Sequence, residues 1–485
     1  MPTVNVKWQK EKYSVDVDLS QPPILFKTQL FTLTQVVPER QKVMISGKTL
    51  GDDSWEGFTI KDNMMLMMMG STGEIPKAPT QNTEGGASSS EATQEEANAY
   101  YPVGLVNIGN TCYFNSCAQV LKEIKELALN PADHQKFQEN QKMSQLMSSL
   151  VTYLRDKKKA FAAKGEAYTP LAHALALTLT FPQFEPRKQQ DANECFTGLL
   201  NVLSNDYKRI GVDIEKYFTV NTSTTLKCLE SDEVADAQPE THKQLSCFIN
   251  QDVRFIQTGI KAGFAEEMEK NSEKLGRTAK WQKQTEITRL PKYLSVAMSR
   301  FFYKESSRTN AKILKSVQFP ISFDAYDMCT QELKDKLHAR RADIKLEEDA
   351  KLERELRKKT LDKEQAAKIM DDGVDLSTEF EDDAGTNNSG FYELKAVISH
   401  KGRASTDGHY VAWVKSGEDG KWRLFDDENV TLVSEEDILK TSGGGDWHSA
   451  YVLVYEARVI KKYPELPPAP VVSVDAAEPM EVSHN

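Results

Sequence analysis

Two cysteines, Cys112 and Cys117, lie close together in the run GLVNIGNTCYFNSC, and a cysteine thiol can serve as a nucleophile. The segment TCYFNSCAQVLKEIKELALN has the periodicity of a helix, in which successive residues are about 100° apart. Cys112 falls away from the apolar stripe of this helix, among polar positions, and is the candidate nucleophile. Cys117 is predicted to be buried, because it falls at the centre of the stripe formed by Tyr113, Phe114, Val120, Leu121, Ile124 and Leu127.

The predicted start of this helix favours a reactive thiol. Asn110 and Thr111 are cap-forming residues directly before the periodic run, so Cys112 is predicted to lie in the first turn. Unpaired backbone N–H groups and the positive end of the helix dipole favour a thiolate at this position. A cysteine without a base is a weak signal, however. A chance exposed cysteine or a residue that packs at the cap would give the same pattern.

A histidine and two aspartates at the ends of a predicted hairpin could supply the base. The stretch DGHYVAWVKSGEDGKWRLFDDENV is typical of two strands, 409–415 and 422–426, around a turn. Folding about that turn places His409 opposite Asp426 or Asp427, where a carboxylate can orient the imidazole. The alternative is a hairpin whose terminal histidine packs or caps. A thiolate and a His/Asp pair brought together from distant segments indicate a cysteine hydrolase.

The bulk composition excludes several classes of protein. The 485 residues carry a net charge of -11, which argues against general affinity for nucleic acid or anionic lipid. Apolar runs of about 18 residues are absent, so no membrane span is expected, and the N-terminus is typical of a strand rather than a signal peptide. Six cysteines without regular spacing favour a reducing intracellular compartment. We expect a cytoplasmic protein, with the nucleus left open as a second location.

Composition and periodicity divide the chain into four parts. Residues 1–70 are predicted to form a compact α+β module with a strand hairpin, a helix in LFKTQLFTLTQVV and further strands. Residues 71–99 are predicted to be a flexible acidic linker. Residues 100–456 have globular character and contain a charged helical insert at about 331–372, which we interpret as a solvated excursion from the domain. Residues 457–485 form a proline-rich tail with no reason to fold.

The quoted motifs resemble those of a known family. GLVNIGNTCYFNS and GHYVAWV resemble the Cys box and His box of the ubiquitin-specific proteases, which are papain-like deubiquitinases. Further blocks of that family match in order over about residues 100–456, namely QQDANECF, LSVAMSRFFY, FDDENV and AYVLVYE. The stretch VPERQKVMISGKTLGDDSW resembles ubiquitin-like β-grasp domains, but the module ends without the Gly-Gly that a conjugatable modifier needs. An unrelated small α+β module is the alternative for this part.

The resemblance implies a fold and a set of partners. The expected fold class is α+β, with an N-terminal ubiquitin-like β-grasp domain followed by a papain-like protease domain built of fingers, palm and thumb. The domain order resembles the proteasome-associated type within the family, which docks on the 26S proteasome regulatory particle through the ubiquitin-like domain. The implied substrates are ubiquitin and polyubiquitin conjugates, cleaved after the C-terminal glycine of ubiquitin.

The resemblance also implies roles for single residues. It makes Cys112 the nucleophile, His409 the general base, Asp426 the acid that orients it and Asn107 an oxyanion donor. Three further side chains are implied to bind substrate: Gln190 and Asp191, which match a box that contacts the ubiquitin tail, and Tyr410, which is expected to line the channel to the cysteine.

Zinc and regulation are the last points that the resemblance raises. Many members of the family hold zinc with two Cys-x-x-Cys pairs, whereas the corresponding region of this chain offers only Cys228, Cys247 and His242. We predict no bound zinc and no cofactor. Loops at 303–315 and 400–410 are expected to cover the channel, which implies low activity alone and activation by the proteasome. The alternatives are a catalytically weak ubiquitin-binding scaffold and a general papain-like protease.

Overall fold

The computed structural model describes residues 2–69 and 102–466. Gaps in the first range are 9–10, 18, 20–22, 24–25, 28–29, 31–33, 35–40, 47 and 52–53; those in the second are 157–165, 186, 305–308, 361–371, 405–406 and 446. The chain divides into two compact units, Met1–Glu91 and Ala92–Asn485. The predicted linker and residues 467–485 lie outside the described residues. Within the described part, helices long and apolar enough to cross a membrane are absent.

The N-terminal unit is a five-stranded sheet with strand order β2-β1-β5-β3-β4. Its strands are β1 Thr3–Trp8, β2 Glu11–Asp16, β3 Lys42–Ile45, β4 Lys48–Thr49 and β5 Met65–Met69. The alternating pattern of VNVKW turns Val4 and Val6 into the core, which also contains Phe26 and Leu30 from a helical segment. Most of the predicted helix LFKTQLFTLTQVV lies outside the described residues.

The second unit combines helices and strands. The helices are α1 Cys112–Leu121, α2 Pro131–His134, α3 Lys142–Arg155, α4 Leu171–Thr180, α5 Ala192–Arg209, α6 Ile256–Phe264, α7 Gln331–Thr360 and α8 Glu435–Leu439. The strands are β6 Val220–Cys228, β7 Val234–His242, β8 Leu245–Phe248, β9 Ala265–Ser272, β10 Arg277–Arg289, β11 Tyr293–Ser299, β12 Phe301–Lys304, β13 Thr309–Lys312, β14 Ser322–Asp324, β15 Val374–Asp375, β16 Phe391–Ala404, β17 Asp407–Lys415, β18 Trp422–Asp426, β19 Asn429–Leu432, β20 Ser449–Ala457 and β21 Lys461–Lys462.

An eight-stranded sheet forms the centre of this unit. Seven of its strands follow the order β19-β18-β17-β16-β20-β11-β8, and β14 pairs with β16. Alternation along β17 divides its side chains between two cores: Tyr410 and Ala412 face the helical side with α1, whereas Val411 and Trp413 face the other side. A separate four-stranded sheet, in the order β7-β6-β10-β9, extends from this body. The sheet thus carries α1 on one face and presents the end of β17 beside it.

The charged helix α7 is less solvated than its composition predicts. Its apolar residues Leu333, Leu337 and Ile344 are buried on one side, and the first two join a core of the central sheet. Glu347 is also buried and forms ion pairs with Lys351 and Arg458 at 2.8 and 2.9 Å. The segment is therefore not a fully solvated excursion over its described part, because widely spaced apolar residues suffice to anchor one face.

The segment predicted to begin an unfolded tail at 457 is folded at its start. Ala457 ends β20, and β21 pairs antiparallel with β15. Arg458 reaches Glu347 of α7, and Arg354 donates to the carbonyl of Pro464 at 2.7 Å. The predicted boundary at 457 is therefore too early, because pairing with α7 and β15, far away in sequence, gives these residues partners.

Candidate active site

Cys112 is the first residue of α1, as the periodicity predicts, but the cap differs from the prediction. Thr111 occupies the N-cap position without a side-chain capping bond; its hydroxyl accepts a hydrogen bond from the Ile108 N–H at 3.1 Å instead. Asn110 has a positive φ of 56° and donates to the carbonyl of Arg187 at 2.9 Å. As in any α-helix, the first backbone N–H groups of α1 have no acceptor within the helix. These free donors favour negative charge near Cys112.

Helix α1 is buried on all sides, including the side on which Cys112 lies. Cys112 is 2% exposed, although its polar neighbours along the helix predict a solvent-facing position. The polar side chains instead bind backbone groups: Asn115 Nδ2 donates to Leu105 O at 3.2 Å and Gln119 Nε2 to Val103 O at 2.9 Å. Cys117 is buried as predicted, and its thiol donates to the Ala192 carbonyl at 3.3 Å.

His409 and Asp426 form a hydrogen-bonded pair beside Cys112. The imidazole Nε2 lies 2.6 Å from Asp426 Oδ1. The hydrogen bond with Asp426, followed by one with Cys112, raises the pKa of His409 to about 10. The same hydrogen bond with His409 lowers the pKa of Asp426. Since Asp426 occupies Nε2, Nδ1 is the ring nitrogen left for the sulfur, and the set has the arrangement of a cysteine–histidine–carboxylate triad.

The strand register places His409 and Asp426 on one face, as predicted, but not directly opposite each other. The β17–β18 ladder pairs Lys415 with Trp422 and Ala412 with Phe425. Continuation of this register would place Asp426 opposite Val411, so His409 is a diagonal neighbour rather than the residue directly opposite. Diagonal neighbours on one face are about 7–8 Å apart at the backbone, which a histidine and an aspartate side chain can span.

Asp427 holds the segment that precedes Cys112. Its two carboxylate oxygens accept hydrogen bonds from Asn107 Nδ2 at 2.9 Å and Asn115 Nδ2 at 2.8 Å. Its carbonyl accepts from the Leu105 N–H at 2.9 Å. Burial raises the pKa of Asp427, and its carboxylate is 4.0 Å from His409 Nε2. Asp427 is therefore part of the site, although the sequence indicates it only as an alternative partner of His409.

Asn107, the predicted oxyanion donor, is fixed by four hydrogen bonds, one of them from the Thr111 hydroxyl to Oδ1 at 3.4 Å. One amide N–H is directed to Asp427, and Oδ1 accepts from the N–H groups of Gly109 and Thr111 at 3.1 and 3.2 Å. This arrangement leaves the second N–H of the Asn107 amide for another acceptor. The structure thus defines the orientation of Asn107, and its role toward an oxyanion stays a prediction.

The predicted substrate-binding residues occupy three different environments. Gln190 is partly exposed, and its amide donates to the carbonyl of Glu185 at 3.2 Å. Asp191 caps α5, since Oδ1 accepts from the N–H groups of Asn193 and Glu194, and Oδ2 accepts from the Tyr451 hydroxyl at 2.5 Å. Asp191 thus has a structural task that the motif alone does not indicate.

Tyr410 lies in the core rather than along an open channel. It is 1% exposed, and its ring packs against those of His400 and Tyr451, with centroids 4.6 and 6.0 Å away. Alternation along β17 explains this position, because Tyr410 and His409 project from opposite faces of the strand. The expectation that Tyr410 lines the narrow channel leading to Cys112 stays a prediction.

Gln189 is a residue of the site that sequence reasoning missed. Its Nε2 lies 2.6 Å from the carbonyl oxygen of Gly408 and 3.8 Å from Cys112 Sγ. Gln189 stands first in the motif QQDANECF, next to Gln190 and Asp191, and that proximity was the available signal. Periodicity could not find it, because the residue lies in an irregular segment before α5.

The segments expected to be covering loops are hairpins. Strand β16 continues to Ala404 and β17 begins at Asp407, so most of 400–410 is paired strand. Strands β12 and β13 pair with each other, and Lys312 Nζ at the end of β13 donates to the carbonyl of His400 at 2.6 Å. The polar composition of these segments predicted flexible loops, but the described residues on either side of 305–308 and of 405–406 are paired across the strands.

The region compared with the zinc-binding fingers is held by side-chain bonds. Cys228 packs against Trp281 in a small apolar cluster, and Cys247 lies in a core of the central sheet. At the far end of the four-stranded sheet, Arg277 and Glu230 are paired at 2.8 Å and Lys274 and Asp232 at 2.8 Å. The prediction that this region lacks zinc stays a prediction.

One group among the described residues has the composition of a metal site. His409, Asp426 and Asp427 each offer a ligand atom, all within 4.8 Å of one another. Asp427 directs both oxygens to asparagine amides, and His409 directs Nε2 to Asp426. These hydrogen bonds already use the donor atoms that a metal would need, so the set fits a triad better than a metal centre.

Comparisons with known proteins bear on the whole chain. The family described as "Ubiquitin carboxyl-terminal hydrolase" matches residues 103–455. Ubiquitin carboxyl-terminal hydrolase 14 of Caenorhabditis elegans is 66% identical over 487 residues, which cover 100% of this chain and 99% of the relative. Ubiquitin carboxyl-terminal hydrolase 6 of Arabidopsis thaliana is 40% identical over 486 residues, covering 95% of this chain and 100% of the relative.

A solved structure shares the fold of the larger unit. The Ubp8 complex "SAGA Ubp8/Sgf11/Sus1/Sgf73 DUB module bound to ubiquitin aldehyde" matches with a TM-score of 0.51 and 18% identity, covering 76% of this chain and 71% of that chain. This likeness, with the sheet β1–β5 of the N-terminal unit, confirms the predicted fold class. The family match over most of the chain and the full-length relatives lead to one conclusion: the protein belongs to the ubiquitin carboxyl-terminal hydrolase family.

Proposed function

We propose that this protein is a cysteine-type deubiquitinase that cleaves the bond after the C-terminal glycine of ubiquitin in conjugates. The observation that carries the proposal is the hydrogen bond of 2.6 Å between His409 Nε2 and Asp426 Oδ1. Cys112, the first residue of α1, helps to raise the pKa of the same imidazole. The family membership supplies the substrate class. An imidazole oriented by a carboxylate next to a helix-terminal thiol is the arrangement that activates a cysteine nucleophile.

The reaction proceeds through an acyl-enzyme. The Cys112 thiolate attacks the glycine carbonyl, and a carbon–sulfur bond forms as the carbonyl electrons move onto oxygen. As the intermediate collapses, the carbon–nitrogen bond breaks and the imidazolium of His409 gives its proton to the leaving lysine amine. His409 then takes a proton from water, the hydroxide attacks the thioester, and the Cys112 thiolate leaves. Asp426 keeps the imidazole oriented throughout.

The oxyanion has two sources of donors at the start of α1. The first intrahelical hydrogen bond joins Asn115 N to Thr111 O at 2.9 Å, so the N–H groups of the preceding turn have no acceptor within the helix. Asn107 keeps one amide N–H beyond the one directed to Asp427. Donors aimed at developing charge contribute about 2.7–4 kcal/mol each to lowering the barrier.

We propose two different roles in substrate binding for the three residues Gln190, Asp191 and Tyr410. Gln190 is partly exposed and can contact the ubiquitin tail directly. Asp191 and Tyr410 are tied into the structure, Asp191 through α5 and Tyr451, and Tyr410 within the core. We propose that these two support the wall of the tail site, so their replacement should weaken substrate binding through its shape.

We also propose that the free protein has low activity and that the proteasome raises it. Cys112 is almost fully buried, and the β12–β13 and β16–β17 hairpins lie close together through Lys312 and His400. A glycine-terminated tail cannot reach a buried sulfur unless neighbouring segments move. The same observation favours the second candidate function, a ubiquitin-binding scaffold with weak catalysis.

The N-terminal unit supplies a surface for docking on the 26S proteasome regulatory particle. Along β5, Leu66 and Met68 face the core, whereas Met65, Met67 and Met69 are exposed in a row. Exposed methionines form adaptable apolar contacts with partner proteins. We therefore retain a ubiquitin-like docking domain at 1–70, a linker at 71–99 and a catalytic domain from 100. The proposed location is the cytoplasm, with the nucleus as a further site.

A covalent trapping experiment tests these proposals together. A ubiquitin probe with a C-terminal electrophile should label the wild-type chain and fail to label Cys112→Ala, and proteasomes should accelerate the labelling. Binding of ubiquitin without any adduct would favour the scaffold, and hydrolysis of ordinary peptides would favour a general protease.

The docking surface has its own test. Met67→Glu should reduce cosedimentation of the protein with proteasomes; unchanged cosedimentation would contradict the docking surface.

A further inference from the structure

The side-chain amide of Gln189 lies between two groups of the active site. Its Nε2 is 2.6 Å from the carbonyl oxygen of Gly408 and 3.8 Å from the sulfur of Cys112. A glutamine amide nitrogen carries two N–H donors, so the two acceptors can each receive one. Sulfur accepts hydrogen bonds at longer distances than oxygen, because its radius is larger. Both contacts can therefore exist at the same time.

Gln189 joins three segments that are distant in sequence. It lies before α5, 77 residues after Cys112 and 219 residues before Gly408. Gly408 directly precedes His409 on β17, so a bond to its carbonyl fixes the backbone from which the imidazole projects. A single side chain thus contacts both the nucleophile and the support of the base.

The other amides near the nucleophile are directed elsewhere. Asn107 and Asn115 both direct an N–H to the carboxylate of Asp427. Gln190, the neighbour of Gln189, directs its amide to the carbonyl of Glu185. Among the described residues, Gln189 is the one whose side-chain amide nitrogen lies within hydrogen-bonding distance of the Cys112 sulfur.

We propose that Gln189 is a further catalytic residue: one N–H of its amide stabilises negative charge on the Cys112 sulfur, and the other holds Gly408 so that His409 stays aligned. The inference rests on the proposed function of Cys112 as nucleophile. The thiolate carries its charge before attack and again when it leaves the thioester, so a donor at this place acts in both half-reactions. Hydrogen bonds to charged groups are stronger than those between neutral groups.

The ionisable groups around the sulfur define what else could shift its titration. His409 approaches from β17 with Asp426 behind it, and burial keeps Tyr113 and Cys117 of α1 neutral by raising their pKa values. Tyr410 of β17 is neutral for the same reason. Two further carboxylates act on these groups: Asp191 before α5 interacts with Tyr410, and Asp427 after β18 lies 4.0 Å from His409 Nε2. Replacing Gln189 leaves each of these groups in the chain.

The test measures the rate at which iodoacetamide alkylates Cys112, as a function of pH, by mass spectrometry of the Cys112 peptide in the full-length protein. Gln189→Ala removes both donors, and Gln189→Glu keeps the size while losing the amide. Gln183→Ala is the matched control, because Gln183 lies in the same segment but donates to Glu194 at 3.2 Å. Iodoacetamide reports on the thiolate without requiring ubiquitin.

We expect the midpoint of the alkylation profile to move up by about 0.5–1 pH unit in Gln189→Ala, and further in Gln189→Glu, where a negative charge is added. Looser packing would change the plateau rate rather than the midpoint, so the two effects separate. With a ubiquitin C-terminal amide substrate, kcat should fall about tenfold, more than KM rises.

The outcomes distinguish this inference from the proposed function. An unchanged midpoint in Gln189→Ala, with a wild-type chain that cleaves ubiquitin amides, would overturn the role of Gln189 alone. A wild-type chain that is alkylated normally but never cleaves ubiquitin amides, with or without proteasomes, would overturn the proposed function. If Gln189→Ala unfolds at a lower temperature than wild type, Gln189→Met, which keeps the side-chain length without a donor or an added charge, decides by the same midpoint.

Discussion

Asp427 accepts a hydrogen bond from the side chain of Asn107 at 2.9 Å, across 320 positions of sequence. This contact joins the loop before the nucleophile to the turn after β18. Asp427 also receives the Asn115 amide of α1, and its positive φ of 51° turns the backbone so that its carbonyl meets Leu105. Asp427 thus holds together the loop before Cys112 and the helix that begins with it.

Replacement of Asp427 by alanine should destabilise the catalytic unit. It would leave one N–H of the half-buried Asn107 amide and one N–H of the buried Asn115 amide without the Asp427 acceptor, and an unpaired buried donor costs about 1–3 kcal/mol. We expect a lower thermal unfolding temperature and strongly reduced turnover. Glu428→Ala, an exposed carboxylate at the next position, serves as the control. Equal unfolding temperatures for the two variants would contradict the proposed role.

Asp426→Asn should reduce kcat by roughly a hundredfold or more, since an amide cannot hold the imidazole tautomer as a carboxylate does. Asp427 cannot substitute, because it stays 4.0 Å from His409 Nε2 and uses both oxygens for asparagine amides. Steady-state turnover of a ubiquitin C-terminal amide measures the effect. A loss of less than about threefold would show that Asp427 or another group replaces Asp426.

The local parts of the site could be predicted from sequence, whereas its long-range contacts could not. The helical period distinguishes Cys112 from Cys117, and the hairpin pattern brings His409 near Asp426, because both signals lie within about 20 residues. The burial of Cys112 and the contacts of Gln189 depend on segments far apart in the chain. Single-sequence patterns carry no information on such pairs, so these features required the folded structure.

The same reason explains the errors in the fold. Charge composition suggested a solvated α7, but Glu347 is buried by Arg458 and Lys351, which approach from two sides. Proline content suggested a tail from 457, but β15 offers a pairing edge to β21. Composition describes average solvation, and a few specific partners can override it.

The stability that Asp426 provides should depend on pH in a defined window. The His409 pKa is raised from 6.5 to about 10, so this part of the pair's stabilisation is fully present below pH 6.5 and disappears as pH rises through about 10. The Asp426 pKa is lowered from 3.8, so its part is present above pH 3.8 and disappears on acidification. Both contributions are fully present between about pH 3.8 and pH 6.5, so the difference in unfolding temperature between wild type and Asp426→Asn should be largest in that range. A difference that grows from pH 7 to pH 10 would contradict the ion pair.

Gly408→Ala should inactivate the enzyme while leaving most of the fold intact. Gly408 has a φ of 136°, and an added Cβ would lie 2.2 Å from the carbonyl oxygen of Lys401 and 2.5 Å from His400 Nε2. Relief of this overlap must move the backbone that carries His409 and breaks the bond from Gln189. We expect turnover to fall at least a hundredfold, with the unfolding temperature lowered by a few degrees at most, since one strand end is affected. Gly445→Ala, where nothing lies within 4 Å of the added carbon, is the matched control and should behave as wild type. Full turnover in Gly408→Ala would mean that the strand entry can shift without displacing the imidazole from Cys112.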